Sequence, residues 1–197
     1  MILGKAEINK ILIEDAIANR RQSIRTKPHG DETWRFIVLF RKCQYHDKKR
    51  EKSIINRFLF SINYFFYHRL SVRLGFSIPY KTQIGPGLSI PHYGSIVISD
   101  KAQIGKYCRI HVGVNIGENG GNLQAPKIGD YVYIGPGAKV VGDIMIADGV
   151  ALGAGAVIVK SIEESFTTWA GVPGKKISDK SSKEHLSKLI DYPERMR

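Results

Sequence analysis

Branched aliphatic residues recur at every sixth position along residues 127–159, and this spacing limits the possible folds more than any other feature of the chain. The buried side of a helix repeats about every 3.6 residues and that of a strand every second residue, so neither element explains a step of six. The stepped positions are Ile128, Ile134, Val140, Ile146, Leu152 and Ile158.

The same series begins upstream, with two interruptions. Its earlier members are Ile78, Ile84, Ile90, Ile98, Ile104, Ile110 and Ile116. The step from 90 to 98 holds two extra residues, and the step from 116 to 128 is doubled and contains the loop GENGGNLQAPK. The second residue of the repeat is often glycine, as at Gly85, Gly105, Gly117, Gly129, Gly135 and Gly153. The fifth is small or aliphatic: Thr82, Ala102, Cys108, Val114, Val132, Ala138, Val150 and Ala156.

This repeat predicts a parallel β-helix, in which each repeat forms one short strand and a bend. Three repeats, about eighteen residues, close one triangular coil. The aliphatic residue of each repeat points into the prism, where its burial is worth about 1.5–3 kcal/mol. We expect the fifth residue to point inward near a corner and the glycine to relieve crowding at the bend. An ordinary β-sandwich with coincidental spacing is the alternative.

Helical patterns precede the repeats. The segments TWRFIVLFRKC and SIINRFLFSINYFFYHRL space their apolar residues by three and four, as helices do. An earlier helix is expected near residues 3–25, ended by the break at Pro28–Gly30.

A shorter helical pattern follows the repeats. In SSKEHLSKLIDYP, Ser181 and Glu184 form a capping box, which predicts a short helix running to about Ile190. The predicted class is therefore mainly β, with a helical region at residues 1–75, a β-helix at 76–178, and a short C-terminal helix and tail at 179–197.

The net charge of +12 is unevenly distributed. Residues 1–75 hold 16 Lys and Arg against 7 Asp and Glu (+9), residues 76–165 hold 7 against 7 (0), and residues 166–197 hold 7 against 4 (+3). Such asymmetry suits nucleic acid, an anionic membrane surface or an anionic ligand. No recognition motif accompanies the charge, which argues against nucleic acid. For the segment RKCQYHDKKREK, two interpretations stay open: a solvated face of a packing helix, or peripheral contact with a membrane.

Two cysteines, Cys43 and Cys108, are too few for a disulfide framework and fit a reducing compartment. Cys108 falls on the inward fifth position, so we interpret it as a packing residue and not a nucleophile. The sequence has no signal-peptide core, no apolar window near ~18 residues, and no Cys/His metal spacing. We expect a cytoplasmic protein, with contact at the inner face of the membrane as an open possibility, and no metal.

Four segments occur together and in order: IGPGLSIPHYGSIVIS, IGKYCRIHVGVNIG, KIGDYVYIGPGAKVVGDI and AGVPGKKI. They resemble the serine acetyltransferase-like branch of the left-handed β-helix acyltransferases, which includes serine acetyltransferases and sugar O-acetyltransferases of capsule and exopolysaccharide synthesis. The resemblance implies a left-handed coil, a homotrimer and active sites between neighbouring prisms, and it leaves open whether trimers pair into hexamers. It also implies that acetyl-CoA lies along the groove and that the acceptor hydroxyl attacks the thioester directly.

The resemblance implies catalytic roles for three residues. His92, in SIPHYGSIV, matches the family's catalytic histidine, whose neutral imidazole takes the proton of the attacking hydroxyl. The family orients that histidine with an aspartate fifteen residues upstream, where this chain has Ser77, which accepts a hydrogen bond but supplies no charge. His111 is a second candidate, for contact with the acceptor or for lining the groove.

The acceptor expected from these departures is a sugar hydroxyl in surface polysaccharide synthesis. Serine acetyltransferases carry an Arg-His pair in the loop where this chain has Gln124 and Ala125, and an aspartate before the catalytic histidine, where this chain has Pro91. A zwitterionic serine needs a cation and an anion, and both expected partners are missing. Gly120 and Gly121 in the loop either serve this site or simply form a turn. Serine O-acetyltransferase activity in cysteine biosynthesis and a non-catalytic β-helix scaffold are the alternatives.

Cofactor contacts follow from the same resemblance. Pantetheine needs close backbone approach, which small residues permit. The matching positions for acetyl-CoA are Gly117, Pro136, Gly137, Gly153, Ala154, Ala170, Gly171, Lys175 and Lys176. We expect the backbone of Gly117 to polarise the thioester oxygen and the two lysines to meet the nucleotide phosphates.

Overall fold

The computed structural model describes residues 4–27, 29–120 and 124–193. Three helices come first, and a β-helix of about five turns follows them. The helices are α1 (Lys5–Ala18), α2 (Glu32–Asp47) and α3 (Ile54–Leu74). Within the described ranges, none of these helices combines the length and apolar character needed to cross a membrane.

Three sheets form the sides of the prism, and their strands pair in parallel from coil to coil. Sheet 1 contains β1 (Phe76–Ser77), β3 (Ile96–Ile98), β6 (Asn115–Gly117), β9 (Lys139–Val141) and β12 (Val157–Ile158). Sheet 2 contains β2 (Gln83–Ile84), β4 (Gln103–Ile104), β7 (Lys127–Ile128) and β10 (Met145–Ile146). Sheet 3 contains β5 (Arg109–Ile110), β8 (Tyr133–Ile134), β11 (Ala151–Leu152), β13 (Thr168–Ala170) and the antiparallel β14 (Lys175–Ser178).

The six-residue aliphatic series forms the interior of the prism, as predicted. All its members are buried, and equivalent residues pair across coils, such as Ile110 with Ile134 and Ile104 with Ile128. The fifth-position residues are buried as well, Cys108 among them. Burial raises the pKa of the Cys108 thiol, which fits a packing role. The predicted β-helix with a helical N-terminal region is confirmed.

The second-position glycines relieve crowding, as expected, but the crowding comes from the next coil, and the left-handed bend residues lie elsewhere in the repeat. None of them has a positive φ, so they do not make the bends. A Cβ added to Gly85 would lie 2.7 Å from the carbonyl carbon of Gly105, and one added to Gly105 would lie 2.6 Å from that of Gly129. The backbone of the next coil therefore leaves no room for a side chain. The bends instead use the fourth residue of the repeat, such as Gly113 and Gly137 at φ 79 and 74.

A buried ion pair fastens the helical region to the first coil. Asp15 of α1 and Arg41 of α2 are 0% and 1% exposed, and Arg41 Nε lies 2.9 Å from Asp15 Oδ2. Asp15 Oδ1 accepts the backbone N–H groups of Gly87 and Leu88 at 2.8 Å. Arg41 donates to the carbonyls of residues 84 and 85 at 2.7 Å. Both members of the pair thus join the helices to the first coil through hydrogen bonds to its backbone.

The first helix is shorter than predicted. It ends at Ala18, not near residue 25, because Arg20 adopts a left-handed conformation with φ 57 that stops the helix. After this turn, Arg21 pairs with Asp31 at 2.6 Å and brings the chain to the start of α2. Of the predicted break, Pro28 lies outside the described residues.

The C-terminal helix is also shorter than predicted. It is a single 3₁₀ turn over Ser182–His185, and Ser181 caps it by accepting the N–H of Lys183. Leu186 is already extended. Leu186, Ile190 and Tyr192 are buried against aromatic side chains of the prism. This tertiary packing prevails over the helical tendency of the segment.

Helix α3 leaves most of its apolar side uncovered within the chain. Phe58 is 65% exposed, and Phe65 and Phe66 are each 55% exposed. Only Tyr67, Leu70, Ser71 and Leu74 of this helix are buried. The helical spacing seen in the sequence therefore predicted helix α3 correctly. The residues of α3 that are buried in this chain lie only toward its C-terminal end.

Candidate active site

The corner between sheet 3 and sheet 1, here called the 3–1 edge, brings together most of the predicted site residues. Successive coils cross it at residues 91–94, 111–113, 135–137, 153–155 and 170–171. Backbone hydrogen bonds join neighbouring levels, from Gly137 N–H to the Val112 carbonyl and from Gly155 N–H to the Pro136 carbonyl, both at 2.8 Å. His92 lies at one end of this edge and the segment around Gly171 at the other.

His92 and His111 are neighbours on adjacent coils of the 3–1 edge. Their ring centroids are 6.0 Å apart. His92 belongs to the turn that holds the two extra residues of the first coil, and this turn carries its side chain to the exposed outside of the prism. His111 directly follows β5 and is partly buried. The irregular turn of the first coil thus places His92 beside His111 of the next, regular coil.

His111 is held as a neutral imidazole. Burial, then the charge of Arg109, and then the nearby His92 and His185 lower its pKa to about 4. Arg109 Nε donates to His111 Nε2 at 3.2 Å, which leaves the ring proton on Nδ1. The ring also meets Tyr133 edge-on, with centroids 5.2 Å apart. His111 therefore offers a hydrogen-bond donor to a ligand and no positive charge at neutral pH.

The depressed pKa of His111 predicts a pH dependence of stability. Between pH 6.5 and about 4 the folded state binds fewer protons at this site than the unfolded state, so stability is complete above pH 6.5 and falls as pH drops toward 4. We expect His111→Gln to flatten this part of the curve of Tm against pH. The same substitution at the exposed His68 is the control, and an unaltered curve for His111→Gln would contradict the assignment.

Ser77 does not take the place of the missing aspartate within this chain. Its side chain is exposed on the outside of sheet 1, where it pairs with Val97. It forms no hydrogen bond to His92, and among residues 4–27, 29–120 and 124–193 no carboxylate hydrogen-bonds to His92 either. A direct role for Ser77 in catalysis stays a prediction, and no hydrogen bond between Ser77 and His92 supports it.

The small residues predicted to contact acetyl-CoA line the 3–1 edge, with one exception. Pro136, Gly137, Gly153, Ala154, Ala170 and Gly171 occupy its third, fourth and fifth levels. A Cβ on Gly113 would lie 3.1 Å from the Cα of Gly137, which shows how closely the coils approach there. Gly117 lies at the other end of its strand, at the corner between sheets 1 and 2. Within one chain, it is therefore not brought to His92.

The two lysines of β14 differ in their surroundings. Lys176 Nζ lies 2.6 Å from a Glu164 carboxylate oxygen and 2.5 Å from one of Asp179, and these hydrogen bonds raise the pKa of Lys176. Lys175 is exposed and forms no ion pair with a described residue. Lys175 is thus the more available cation for a phosphate group.

This difference predicts unequal effects on binding of coenzyme A. We expect Lys175→Ala to weaken binding by up to about fivefold, the scale of an exposed charge pair. Lys176→Ala should change it less, because the ammonium of Lys176 is already neutralised by Glu164 and Asp179. Isothermal titration with coenzyme A measures both, and equal affinities for the two variants and the parent would remove the β14 lysines from the site.

Sequence reasoning missed three residues of the histidine cluster. Arg109 holds His111, Tyr133 packs on it, and His185 stacks on Tyr133 with centroids 4.4 Å apart. Arg109 and Tyr133 both open strands of sheet 3, so their equivalent phase in the repeat was a usable signal. His185 comes from the C-terminal turn, and no local pattern connects that turn to this face. Among the described residues, no group of three or more His, Cys, Asp or Glu is placed to hold a metal ion.

Comparison with known proteins agrees with this geometry. Residues 125–160 match the family model "Bacterial transferase hexapeptide (six repeats)". Serine acetyltransferase of Staphylococcus xylosus is 29% identical over 191 residues, covering 95% of this chain and 82% of the relative. That of Synechococcus elongatus is 34% identical over 112 residues, covering 56% of this chain and 46% of the relative. The chain thus spans less than half of the length of the Synechococcus protein.

Solved structures show the same fold. Serine acetyltransferase from Brucella abortus in complex with coenzyme A has a TM-score of 0.69 at 23% identity, covering 90% of this chain and 70% of that chain. The Neisseria gonorrhoeae serine acetyltransferase in complex with serine has a TM-score of 0.66 at 24% identity, covering 88% and 70%. Fold and repeats define a hexapeptide-repeat β-helix protein. Within that class, the chain is similar to serine acetyltransferases.

Proposed function

We propose that this chain is an acetyl-CoA-dependent O-acetyltransferase with His92 as general base. The observation that carries the proposal is the 3–1 edge, on which His92, His111 and a row of small residues line up over five coils. A thin pantetheine chain can lie against such a row, because the small residues expose backbone N–H and carbonyl groups. Lys175 at the far end suits the nucleotide phosphates.

His92 serves the reaction by moving one proton. Its neutral imidazole takes the proton of the acceptor hydroxyl while the hydroxyl oxygen bonds to the thioester carbonyl carbon. The carbon–sulfur bond then breaks, and the imidazolium returns the proton to the departing sulfur. The products are the O-acetyl ester and the free thiol of coenzyme A. Without a carboxylate partner, His92 must be oriented by other contacts.

For the acceptor, we propose L-serine. The matched relatives are serine acetyltransferases, and one of the similar structures holds serine. This choice replaces the sugar acceptor expected from the sequence, for which the relatives give no support. The sugar hydroxyl remains the second candidate on one observation: Pro91, Gln124 and Ala125 lack the charges that serine needs at those positions.

A thiol-release assay decides between the acceptors. The protein is incubated with acetyl-CoA and either L-serine, nucleotide sugars or neutral oligosaccharides, and free thiol is followed. Rapid release with serine alone supports the proposed acceptor, and release with a sugar alone supports the second candidate. No release with any acceptor, together with no binding of acetyl-CoA at millimolar concentration, would favour a non-catalytic scaffold.

We further propose that the active unit is the homotrimer implied by the resemblance. His92 is exposed in a single chain, whereas proton transfer from an alcohol benefits from exclusion of water. A second prism against the 3–1 edge would supply that cover, and would bring a neighbour's Gly117 corner within reach of the edge. Sedimentation equilibrium tests this, since a monomer that retains full activity would contradict it. Peripheral membrane contact and hexamer formation remain expectations. Either one would cover the exposed apolar side of α3.

A further inference from the structure

A cavity of about 280 Å³ lies beside His92, between the end of α1, the start of α2 and sheet 3. Its volume is at the low end for small-molecule sites. Pro91 lines it, and the next residue in the chain is His92. Arg109 lines it too, and this side chain donates to His111. The cavity therefore adjoins the candidate active site on the side of the helical region.

Three residues that line this cavity carry buried polar atoms without a partner. They are Arg21 Nε, Trp34 Nε1 and Ser89 Oγ, none of which bonds to any described residue. The side chains of Trp34 and Ser89 belong to residues only 3% exposed. Guanidinium and indole nitrogens only donate hydrogen bonds, and a hydroxyl can donate. Buried donors without acceptors point to a ligand rich in acceptor atoms.

Two arginines add positive charge to the same cavity. Among the described ranges, neither Arg20 nor Arg109 forms an ion pair. Arg109 is half-buried, and burial followed by the charge of Arg20 lowers its pKa, so the two cations are close enough to repel. Asp31, the one carboxylate lining the cavity, already accepts from both terminal nitrogens of Arg21 and from Lys27 N–H. Among the residues that line the cavity, no carboxylate is therefore left to balance the charges of Arg20 and Arg109.

The backbone at Arg20 has a conformation that glycine also adopts easily. Arg20 follows the C-cap of α1 in the left-handed conformation, at φ 57. Glycine is the favoured residue at this position, because a side chain is strained there. The Arg21 N–H completes the turn by donating to the Ala16 carbonyl at 2.9 Å. Glycine can therefore replace Arg20 without straining this turn.

We propose that this cavity binds the anionic group of the acceptor, a carboxylate or a phosphate, and thereby presents the acceptor hydroxyl to His92. The inference rests on the proposed acetyl transfer and narrows its substrate class to hydroxyl compounds that carry an oxyanion. The guanidinium groups of Arg20 and Arg109 suit such oxyanions in geometry and charge. Neutral sugars are thereby excluded as acceptors. In this proposal, Arg20 and Arg109 supply the positive charge that is missing at Gln124 and Ala125, and they do so from the side of the helical region.

Binding is tested by isothermal titration without acetyl-CoA, with two matched pairs of compounds. L-serine is compared with L-serinamide, and glucose 6-phosphate with glucose. We expect the anionic member of at least one pair to bind at least tenfold more tightly, and the pair that responds distinguishes carboxylate from phosphate. Arg20→Gly keeps the left-handed backbone and should weaken that binding at least tenfold. Arg25→Ala, in the same loop, is the control and should leave it unchanged.

Two outcomes would overturn the inference. One is equal affinity for the anionic and uncharged members of both pairs, and the other is equal anion affinity for Arg20→Gly and the parent protein. Thiol release is measured in parallel, so the two proposals fail separately. Transfer to the anionic acceptor at an unaltered rate in Arg20→Gly refutes the cavity's role and leaves acetyl transfer intact. Arg20-dependent anion binding with no thiol release for any acceptor refutes the acetyl transfer.

Discussion

Replacement of His92 by alanine is expected to lower acetyl transfer by at least ~10²-fold, the usual scale for loss of a general base. The neighbouring His111 cannot take over through Nε2, because that nitrogen already accepts from Arg109. The affinity for coenzyme A should stay near that of the parent protein, since His92 lies at the end of the 3–1 edge away from Lys175. Steady-state thiol release and isothermal titration provide the two measurements.

The matched control is His68→Ala, because His68 is an exposed histidine on α3 whose ring stacks on Tyr64 and not on His92 or His111. It should leave turnover unchanged. Near-normal turnover in His92→Ala would reject the role of His92, whatever the acceptor. Loss of coenzyme A binding together with activity would instead indicate a structural role for the turn at residues 91–94, and would also count against the assignment.

The second large effect concerns the buried pair of Asp15 and Arg41. We expect Asp15→Ala to lower the free energy of unfolding by about 3–5 kcal/mol, since it leaves the Arg41 cation buried without its counter-ion. It also leaves the N–H groups of Gly87 and Leu88 without the acceptor they now have. Urea unfolding followed by circular dichroism measures the loss.

Two variants test whether the cause is the unpaired charge. Asp15→Leu/Arg41→Met removes both charges and should be less destabilised than Asp15→Ala, because no charge stays buried alone. Arg50→Ala breaks an exposed pair with Asp47 and should cost less than about 1 kcal/mol. A double variant as unstable as the sum of its single variants would show that the pair is not coupled.

Most of the fold was predictable from the sequence, and the composition of the 3–1 edge was predictable in part. The residues that line the 3–1 edge occupy fixed phases of the repeat, so one matched motif places the others. Gly117 shows the limit of that approach: it has the expected residue type and phase but lies at a different corner of the prism. Lys176 shows a second limit of prediction from the repeat. Its carboxylate partners, Glu164 and Asp179, lie outside the six-residue series.

The sequence by itself determined which side chains enter the prism and which histidine is the candidate general base. A stacked coil repeats one local geometry, so the same phase always points inward and the periodicity is readable without coordinates. Only the tertiary structure decided how α1, α2 and the C-terminal turn meet that prism. The contact of Asp15 with Arg41, the stacking of His185 on Tyr133 and the approach of Arg20 to Arg109 join segments with no shared period. Such contacts depend on the path of the whole chain and on which polar groups burial forces to find partners.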